Sequence, residues 1–385
     1  MSNSWIQRYH TQFARTFGAN AAFGFWKGRV ALYAILRAMG IKEGDEVIMP
    51  GYTCVMAVNP IIYLGAKPVF VDIDPKTYNM DPNQVEAKIS AQTRLIIAQH
   101  TYGIPADMDA ILDISRRKGI RVMEDCCLSI GSTIRGKKTG TFGEAAYFSF
   151  QWNKPYTSGL GGMALTCNEE IGQRIGELWE RETCEPSSKQ INLLRLQLMV
   201  YRSLIYPKTT ALAQETFRTL NKWGLVVGSS QSSEMTPKME SDFFKRMSDM
   251  QARAGLRQLS QLDDNLAHRR KMRRLYDELV AQHGWEGPMI SPDADPVLVR
   301  YPLRVADKAK ALQRASAHFV ELGSWFECPL HPIETDMSAY GYHEGMCPEA
   351  DKASREVVNL PCHMRASEST ARRSVAFLAK LAKAN

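Results

Sequence analysis

Long apolar runs are absent from this sequence of 385 residues. It has no window of 18 or more apolar residues, and the N-terminal stretch "MSNSWIQRYHTQFARTFG" has no apolar run of the signal-peptide type. A membrane-spanning helix needs about 20 consecutive apolar residues. The sequence therefore predicts a protein that neither spans a membrane nor enters the secretory route, and we expect it to be cytoplasmic.

Blocks of like charge and metal-type cysteine spacings are also missing. The 48 basic and 41 acidic residues give a net charge of +7 without a long run of either sign, which does not favour nucleic-acid binding. Of the eight cysteines, the close pair Cys126 and Cys127 is adjacent, not spaced as in zinc knuckles. His331, His343 and His363 show no ligand spacing. The sequence predicts no metal site.

The composition that is present is that of a globular protein. Apolar residues make up 44% of the chain and charged residues 23%. A single core stops growing at about 250–300 residues, so two domains are expected. We predict a large domain over residues 1–240, with a helical insertion at about 186–236, and a small α+β domain over residues 241–385.

Helix-type and strand-type segments alternate between about residues 28 and 182. The strand segments "EVIMP", "PVFVDID", "RLIIAQH", "RVMEDC" and "AAYFSF" are continuous apolar runs, as in strands that are covered on both faces. Helical patterns lie between them, as parallel crossovers require. The predicted fold class is α/β, with a three-layer, mostly parallel sheet.

Ligands bind open parallel sheets at the carboxyl ends of the strands. This rule selects Pro50 to Cys54, His100, Asp125 and the loop that carries Lys154. Lys154 is either a solvated loop lysine or a nucleophile whose pKa is lowered by desolvation. Asp125 is either a helix cap or the carboxylate that holds the protonated ring nitrogen of pyridoxal phosphate.

The order of motifs is similar to one known family. "GRVAL", "PGYTC", "GAKPVFVDIDPKTYNMD", "HTYGIPADMDAI", "MEDCCLSIGSTIRGKKTGTFGEAAYFSF", Lys154 and "GLGGMALT" follow one another, and "FFKRMSDMQARAGLRQLSQLDD" and "CPEADKASREVVNLPCH" come later. This series resembles the DegT/DnrJ/EryC1/StrS family of sugar aminotransferases. The resemblance implies the aspartate aminotransferase (type I) fold and pyridoxal 5'-phosphate as cofactor.

The resemblance also assigns roles to residues. Lys154 is expected to hold the cofactor as a Schiff base, Asp125 to bind its ring nitrogen, and Ser149 to bind its phosphate with backbone amides of Gly28 and Arg29. The implied reaction is transamination of a keto-sugar, expected to be nucleotide-linked, with glutamate or glutamine as donor. A homodimer is implied as well.

Several positions differ from the usual pattern of that family. They are Arg29 for threonine, Cys54 for a ring that stacks on the cofactor, Leu128 for Gln or His, Leu160 for Glu, and Phe244 for an asparagine of the neighbouring subunit. Arg29 either binds the phosphate or points to solvent, and Lys245 is a candidate to reach across a dimer interface. Two other functions stay open: a sugar dehydratase-like enzyme, which retained Lys154 disfavours, and a non-catalytic, cofactor-binding regulatory protein.

The segment from about 190 to 225 is not explained by the family pattern. Leu193, Leu196, Val200 and Leu204 fall on one helical face, with Arg195 and Arg202 opposite, and Arg218 and Lys222 follow. One hypothesis is that these helices pack on the large domain or across a dimer. The other is peripheral contact with the inner face of a membrane, in which the basic residues meet anionic headgroups.

Overall fold

The computed structural model describes residues 4–152, 154–204, 235–332 and 335–383. The strands are β1 (Ala21–Phe25), β2 (Glu46–Pro50), β3 (Thr53–Cys54), β4 (Lys67–Val71), β5 (Thr93–Gln99), β6 (Arg121–Asp125), β7 (Thr133–Ile134), β8 (Lys137–Lys138), β9 (Ala145–Ser149), β10 (Gly162–Thr166), β11 (Ala294–Asp295), β12 (Arg300–Arg304), β13 (Leu330–His331) and β14 (Val357–Pro361). The helices are α1 (Trp5–Phe17), α2 (Gly28–Ala38), α3 (Val55–Tyr63), α4 (Pro82–Ala87), α5 (Met108–Lys118), α6 (Glu169–Arg181), α7 (Ser188–Leu204), α8 (Asp249–Leu259), α9 (Leu262–Gln282), α10 (Lys308–Ala317), α11 (Pro348–Glu356) and α12 (Glu368–Lys383).

A sheet of seven strands, in the order β1-β10-β9-β6-β5-β2-β4, forms the centre of the fold. The five strands from β9 to β4 run parallel, whereas β10 is antiparallel to both β9 and β1. The predicted α/β class with a mostly parallel sheet is confirmed. Strand β1, with the sequence "AAFGF", was not predicted, because alanine and glycine carry little strand signal.

Both faces of the sheet are buried, which explains the continuous apolar runs of its strands. Leu95 and Ile97 of β5 belong to the apolar cluster that contains most of α2. Ile96 and Ala98 of the same strand belong to a second cluster with residues of α5, on the opposite face. Successive side chains of a strand point to opposite faces, so a strand that is covered twice has no polar positions.

The C-terminal part contains the antiparallel pair β12 and β14 with α10, α11 and α12. Asp72, just after β4, fixes α11 to the large sheet, because its carboxylate accepts the backbone N–H groups of Glu349 and Ala350 at 2.8 and 2.9 Å. Residues 245–247 lie alongside β1, with hydrogen bonds between Trp26 and Lys245 and between Met247 and Gly24. The boundary at residues 240 and 241 stays a prediction.

Helix α7 lies at the start of the predicted insertion. Leu194 and Leu198 are buried and pack with Trp26, Trp152 and Leu160. The expected packing of this helix on the large domain is therefore present. Arg218 and Lys222 lie outside the described residues, as does the side chain of Arg202.

The apolar face that was predicted for α7 is not the one that packs. Leu196 and Val200 are 54% and 42% exposed, and Met199 is 54% exposed. This helix thus has a buried apolar face and a second, exposed one. Among the residues that the structure describes, no helix is both long and apolar enough to cross a membrane.

A buried histidine on α1 makes the stability of the fold depend on pH. The ring of His10 accepts the Gly24 N–H through Nε2, and burial lowers its pKa to about 3. The unfolded chain binds a proton near pH 6.5 and the folded chain does not, so stability is present above that pH and is lost as the pH falls toward 3. His10→Gln, which keeps an acceptor, should reduce the pH slope of the unfolding free energy in this window by about 1.4 kcal/mol per pH unit.

Chemical denaturation at a series of pH values measures this slope. The change His343→Gln, on an exposed histidine, is the matched control. Equal slopes for the His10→Gln variant and the parent protein would show that His10 is not the group responsible.

Candidate active site

The predicted site residues lie at the carboxyl ends of neighbouring strands. Asp125 ends β6, Ser149 ends the adjacent β9, and Cys54 follows β2 in the short strand β3. Strand β9 lies inside the sheet, between β10 and β6, so the Lys154 loop (residues 150–161) leaves the end of an interior strand. The sheet thus brings together residues that are far apart in sequence.

Asp125 is buried, with 6% of its surface exposed, and its two carboxylate oxygens have different partners. Oδ1 accepts the Cys127 N–H at 2.9 Å, and Oδ2 accepts a short hydrogen bond from the Tyr147 hydroxyl. No helix of the described chain begins within the loop after Asp125, so the alternative of a helix cap is wrong. Tyr147 was missed by sequence reasoning, although it lies opposite Asp125 in the register of β6 and β9.

Lys154 is partly buried, and its ammonium group has no carboxylate and no hydrogen-bond acceptor among the described residues. Its Nζ lies 4.8 Å from the centroid of the Trp325 ring. Burial raises the pKa of Cys127, the charge of Asp125 raises it further, and the charge of Lys154 opposes both. Lys154 and Asp125 therefore act electrostatically on the same thiol, which places them at one site.

The Lys154 loop is held by two helices. The Tyr201 hydroxyl of α7 donates to the Trp152 carbonyl at 3.0 Å. On α9, Asn265 donates its amide to the Pro155 carbonyl at 2.7 Å, and Arg269 Nε donates to the Asn265 amide oxygen at 2.7 Å. The backbone carbonyls of Trp152 and Pro155, on either side of Lys154, are thus held by side chains of α7 and α9.

Asn265→Ala should loosen the Lys154 loop. The Pro155 carbonyl and the Arg269 Nε–H would both lose their partner, so we expect the unfolding free energy to fall by about 1–3 kcal/mol. Hydrogen exchange should accelerate in the Lys154 loop in particular, and both changes are measurable on the purified protein. The exposed change Asn192→Ala on α7 is the control. Unchanged exchange in the loop would mean that this hydrogen bond does not anchor it.

A close contact of two glycines places the start of α2 against the end of β9. A Cβ on Gly28 would lie 2.8 Å from Ser149 Cβ, and a Cβ on Gly162 would lie 2.4 Å from Gly28 Cα. Neither position can hold a side chain. The positive end of α2 therefore lies next to the Ser149 hydroxyl, which makes no hydrogen bond with the rest of the described chain.

Arg29 and Cys54 lie near Lys154 and Asp125. Arg29 is 7% exposed and its guanidinium contacts the sulfur of Met56, so the alternative in which it points to solvent is wrong. Burial raises the pKa of the Cys54 thiol, and the charges of Lys154 and Arg29 oppose that effect. Both predicted residues thus belong to the same cluster.

The segment "WFECPLH", residues 325–331, also borders the site and was not predicted to do so. It carries Trp325 over Lys154 and pairs His331 with Cys54 through the parallel strands β13 and β3. Burial lowers the pKa of His331 to about 4; Glu327 raises it, whereas the charges of Lys154 and two other cations lower it. In the sequence, the aromatic pair Trp325 and Phe326, followed by His331, was the pattern that could have indicated this segment.

His100 does not line the site as one interpretation had it. Its ring is fully buried, with Nδ1 accepting the Ala106 N–H at 3.0 Å and Nε2 lying 3.1 Å from Glu124. His100, Glu124 and Cys126 have ligand-type atoms within 4.8 Å of one another. Both nitrogens of His100 are nevertheless occupied by hydrogen bonds, and Glu124 also accepts three backbone N–H groups. This cluster fixes the backbone.

The positions that depart from the family pattern are mostly buried. Leu128 and Leu160 are 5% and 1% exposed, so they are apolar side chains within the core. Phe244 stacks on Phe25 with ring centroids 5.9 Å apart. Lys245 forms an ion pair with Asp242 of its own chain.

Solved structures share this fold over nearly the whole chain. The putative sugar aminotransferase Spr1654 from Streptococcus pneumoniae matches with a TM-score of 0.78 and 21% identity, over 99% of this chain and 92% of that one. DesV from S. venezuelae matches with a TM-score of 0.76 and 24% identity, over 98% and 89%. At these identities the likeness establishes the fold, which confirms the predicted type.

Relatives by sequence include two sugar-modifying enzymes. A GDP-perosamine synthase of Caulobacter vibrioides is 33% identical over 291 residues, which are 74% of this chain and 66% of the relative. An L-glutamine:2-deoxy-scyllo-inosose aminotransferase of Streptoalloteichus tenebrarius is 31% identical over 291 residues, or 74% and 60%. The match thus spans less than two thirds of each relative's length.

One family model covers most of the chain. It matches residues 2–191 and 209–379, and it leaves out all of α7 except the first turn. The match includes every residue that the motifs assigned to the site, from Gly28 to Lys154. The predicted resemblance is therefore confirmed, and the chain belongs to the DegT/DnrJ/EryC1/StrS aminotransferase family.

Proposed function

We propose that the chain is a pyridoxal-phosphate-dependent sugar aminotransferase in which Lys154 holds the cofactor. The observation that carries this proposal is the partly buried Lys154 ammonium, which has no acidic partner among the described residues and lies at the same sheet end as buried Asp125. A lysine that is not neutralised by a carboxylate is suited to attack an aldehyde carbon.

The cluster fits the cofactor at three points. The N-terminal end of α2, which the close contact of Gly28 and Gly162 holds against the Ser149 hydroxyl, suits a phosphate, with Arg29 as a nearby cation. Asp125 is oriented by Cys127 and Tyr147 and suits a protonated ring nitrogen. The charges of Lys154, Arg29 and Asp125 all act on the Cys54 thiol, and this residue suits the face of the ring.

The chemistry divides between cofactor and protein. The bound cofactor supplies an electron sink for the reacting carbon. Lys154 then acts as a general base that takes a proton from the reacting substrate carbon. Later in the reaction it acts as a general acid and gives the proton back. Asp125 keeps the ring nitrogen protonated, which stabilises the developing charge.

The substrate class is a keto-sugar, nucleotide-linked, with glutamate or glutamine as amino donor. The names of two relatives support this class: one is a GDP-perosamine synthase and the other is an L-glutamine:2-deoxy-scyllo-inosose aminotransferase. The product is an amino-sugar for glycan biosynthesis. Retained Lys154 supports transamination over the dehydratase-like alternative.

A regulatory role is the second candidate function. A protein named pleiotropic regulatory protein from Geobacillus stearothermophilus is 27% identical over 361 residues, which are 93% of this chain and 84% of that one. Buried Leu128 and partly buried Phe244, in place of polar residues that commonly contact the cofactor or its phosphate in this family, also favour this candidate.

One experiment separates these functions. The purified protein is incubated with glutamate or glutamine and a panel of nucleotide-linked keto-sugars, and products are identified by mass spectrometry. An aminotransferase converts one keto oxygen to an amine, and its cofactor absorbance bleaches with the donor and returns with the acceptor. Bound cofactor whose absorbance never responds to either donor would favour the regulatory function.

The proposal also includes a homodimer and a peripheral membrane contact. The protein itself is expected in the cytoplasm. Both concern the exposed face of α7, formed by Leu196, Met199 and Val200 with the exposed Arg195 beside it. Surface exposure of three neighbouring apolar side chains indicates a contact with a partner or a lipid boundary. The two candidates to cover this exposed face are a second copy of the chain and an anionic membrane.

Two measurements on one variant distinguish them. Leu196, Met199 and Val200 are changed together to glutamine, and sedimentation equilibrium and flotation with anionic vesicles are compared with the parent. A smaller assembly identifies the dimer interface, whereas lost flotation identifies the membrane contact. Parent protein that is monomeric and stays at the bottom of the gradient at low salt would contradict both.

A further inference from the structure

Arg300, at the start of β12, carries a guanidinium without a polar partner among the described residues. It forms no hydrogen bond and no ion pair with any part of the chain that the structure describes. Burial lowers its pKa, which reflects the cost of holding this cation away from water. A guanidinium has five N–H donors and no acceptor. The partner that Arg300 lacks among the described residues is therefore an oxygen that accepts a hydrogen bond.

Two neighbours fix the position of this guanidinium. Its Cζ lies 5.1 Å from the centroid of the Trp325 ring, and a Cβ on Gly323 would lie 2.1 Å from its Nη1. The guanidinium therefore lies over the indole and close to a stretch of backbone that has no side chain. Stacking of this kind holds an arginine and leaves the edge donors available.

The same indole connects Arg300 to the candidate active site. Lys154 Nζ lies 4.8 Å from the Trp325 centroid, and Arg300 Cζ lies 5.1 Å from the same point. The distance between Nζ and Cζ is therefore no greater than these two distances added together. Both charges also lower the pKa of His331, in addition to the effect of burial. Arg300 and Lys154 thus belong to one site.

Positive charge predominates around Arg300. Burial raises the pKa of Tyr201, and the charges of Arg365, Arg269 and Arg300 all oppose this rise. The carboxylate that acts on Arg300 is Glu321, whose oxygen is already hydrogen-bonded to His363 Nε2 at 2.8 Å. Among the described residues, the charges of three arginines therefore act on Tyr201, and the carboxylate that acts on Arg300 is already engaged.

We propose that Arg300 binds an oxyanion of the substrate next to Lys154, through the N–H groups that the protein itself leaves unused. A carboxylate or a phosphate matches the planar, two-pronged donor set of a guanidinium. This inference rests on the proposed function, which supplies both oxyanions: the carboxylates of the amino donor and the phosphates of a nucleotide-linked sugar.

Arg300→Gln and Arg300→Met test this role in the cofactor-loaded protein. Calorimetry on the protein loaded with the amino form of the cofactor, which cannot react with glutamate, measures the affinity of glutamate and of inorganic pyrophosphate without turnover, and steady-state rates give KM for donor and acceptor separately. A charge-assisted hydrogen-bonded pair is lost, so affinity for the matching oxyanion should fall roughly tenfold to a hundredfold. Arg300→Lys keeps the charge and should lose less. Arg116→Gln, on an exposed arginine of α5, is the control.

The two binding measurements, with glutamate and with pyrophosphate, identify the source of the oxyanion. Weaker glutamate binding with unchanged pyrophosphate binding assigns Arg300 to the amino donor, and the reverse assigns it to the nucleotide phosphates. The proposal is overturned if Arg300→Met binds both probes like the parent, since methionine still packs on Trp325. It is also overturned if Trp325→Phe reproduces every effect, because Arg300 would then only support the indole. Failure to aminate any keto-sugar would contradict the proposed function and leave these binding constants measurable.

Discussion

Lys154→Ala should abolish turnover and covalent attachment of pyridoxal phosphate while the fold stays intact. In the folded chain Lys154 contributes a contact with Trp325, which is worth about 0.5–1 kcal/mol at partly exposed sites. The loss of stability is therefore small and the loss of chemistry complete. Borohydride reduction followed by peptide mass spectrometry detects the attached cofactor, and thermal unfolding reports the fold.

Two other lysine variants make this test specific. Lys154→Arg keeps a cation beside Trp325 but cannot form the linkage, so it should fail as completely as the alanine variant. Lys308 is the competing lysine, because burial lowers its pKa to about 8, but its Nζ is hydrogen-bonded to the carbonyls of Phe326 and Ser354. Cofactor found on Lys308, or retained by Lys154→Arg, would contradict the assignment.

Asp125→Ala should slow turnover by on the order of a thousandfold, which corresponds to about 4 kcal/mol in the transition state. The carboxylate is buried and oriented from two sides, by Cys127 and Tyr147, so its charge acts in a partly desolvated site. Without it the ring nitrogen loses its stabilising partner. Steady-state rates on a variant saturated with cofactor measure the effect.

Asp125→Asn separates the charge from the shape. The asparagine oxygen can still accept the Cys127 N–H, so the local turn is kept while the charge is removed. We expect a loss similar to that of the alanine variant. Asp113→Ala, on the exposed surface of α5, is the control. Rates within about tenfold of the parent for both Asp125 variants would mean that the carboxylate only orders the turn.

The local pattern of the sequence was sufficient for the fold class and for a site at the strand ends. Apolar runs such as "RVMEDC" predict strands that are covered twice, and the helices between them fix parallel crossovers. The carboxyl ends of such strands meet at one end of the sheet. Asp125 and the loop that carries Lys154 could therefore be placed together from the sequence, whereas Ser149 was assigned by the family resemblance.

The contacts that surround Lys154 were decided by tertiary structure. Tyr147 was visible only as an apolar strand residue, yet the register of β6 and β9 places its hydroxyl on Asp125. Trp325 and Arg300 come from distant segments, and neither has a local pattern that indicates its neighbour. Such contacts depend on how whole layers pack.

Helix α7 illustrates the same limit on a single element. Helical periodicity favoured a face with Leu196 and Val200, whereas the structure buries Leu194 and Leu198 against Trp152. Leucines nearly surround this helix, so its periodicity does not select one side. The sequence by itself determined the parallel strands of the large sheet, the helices between them and the chemical groups at the strand ends. The packing of Trp152 and its neighbours, which no local pattern encodes, decided which face of α7 is buried and which groups meet Lys154.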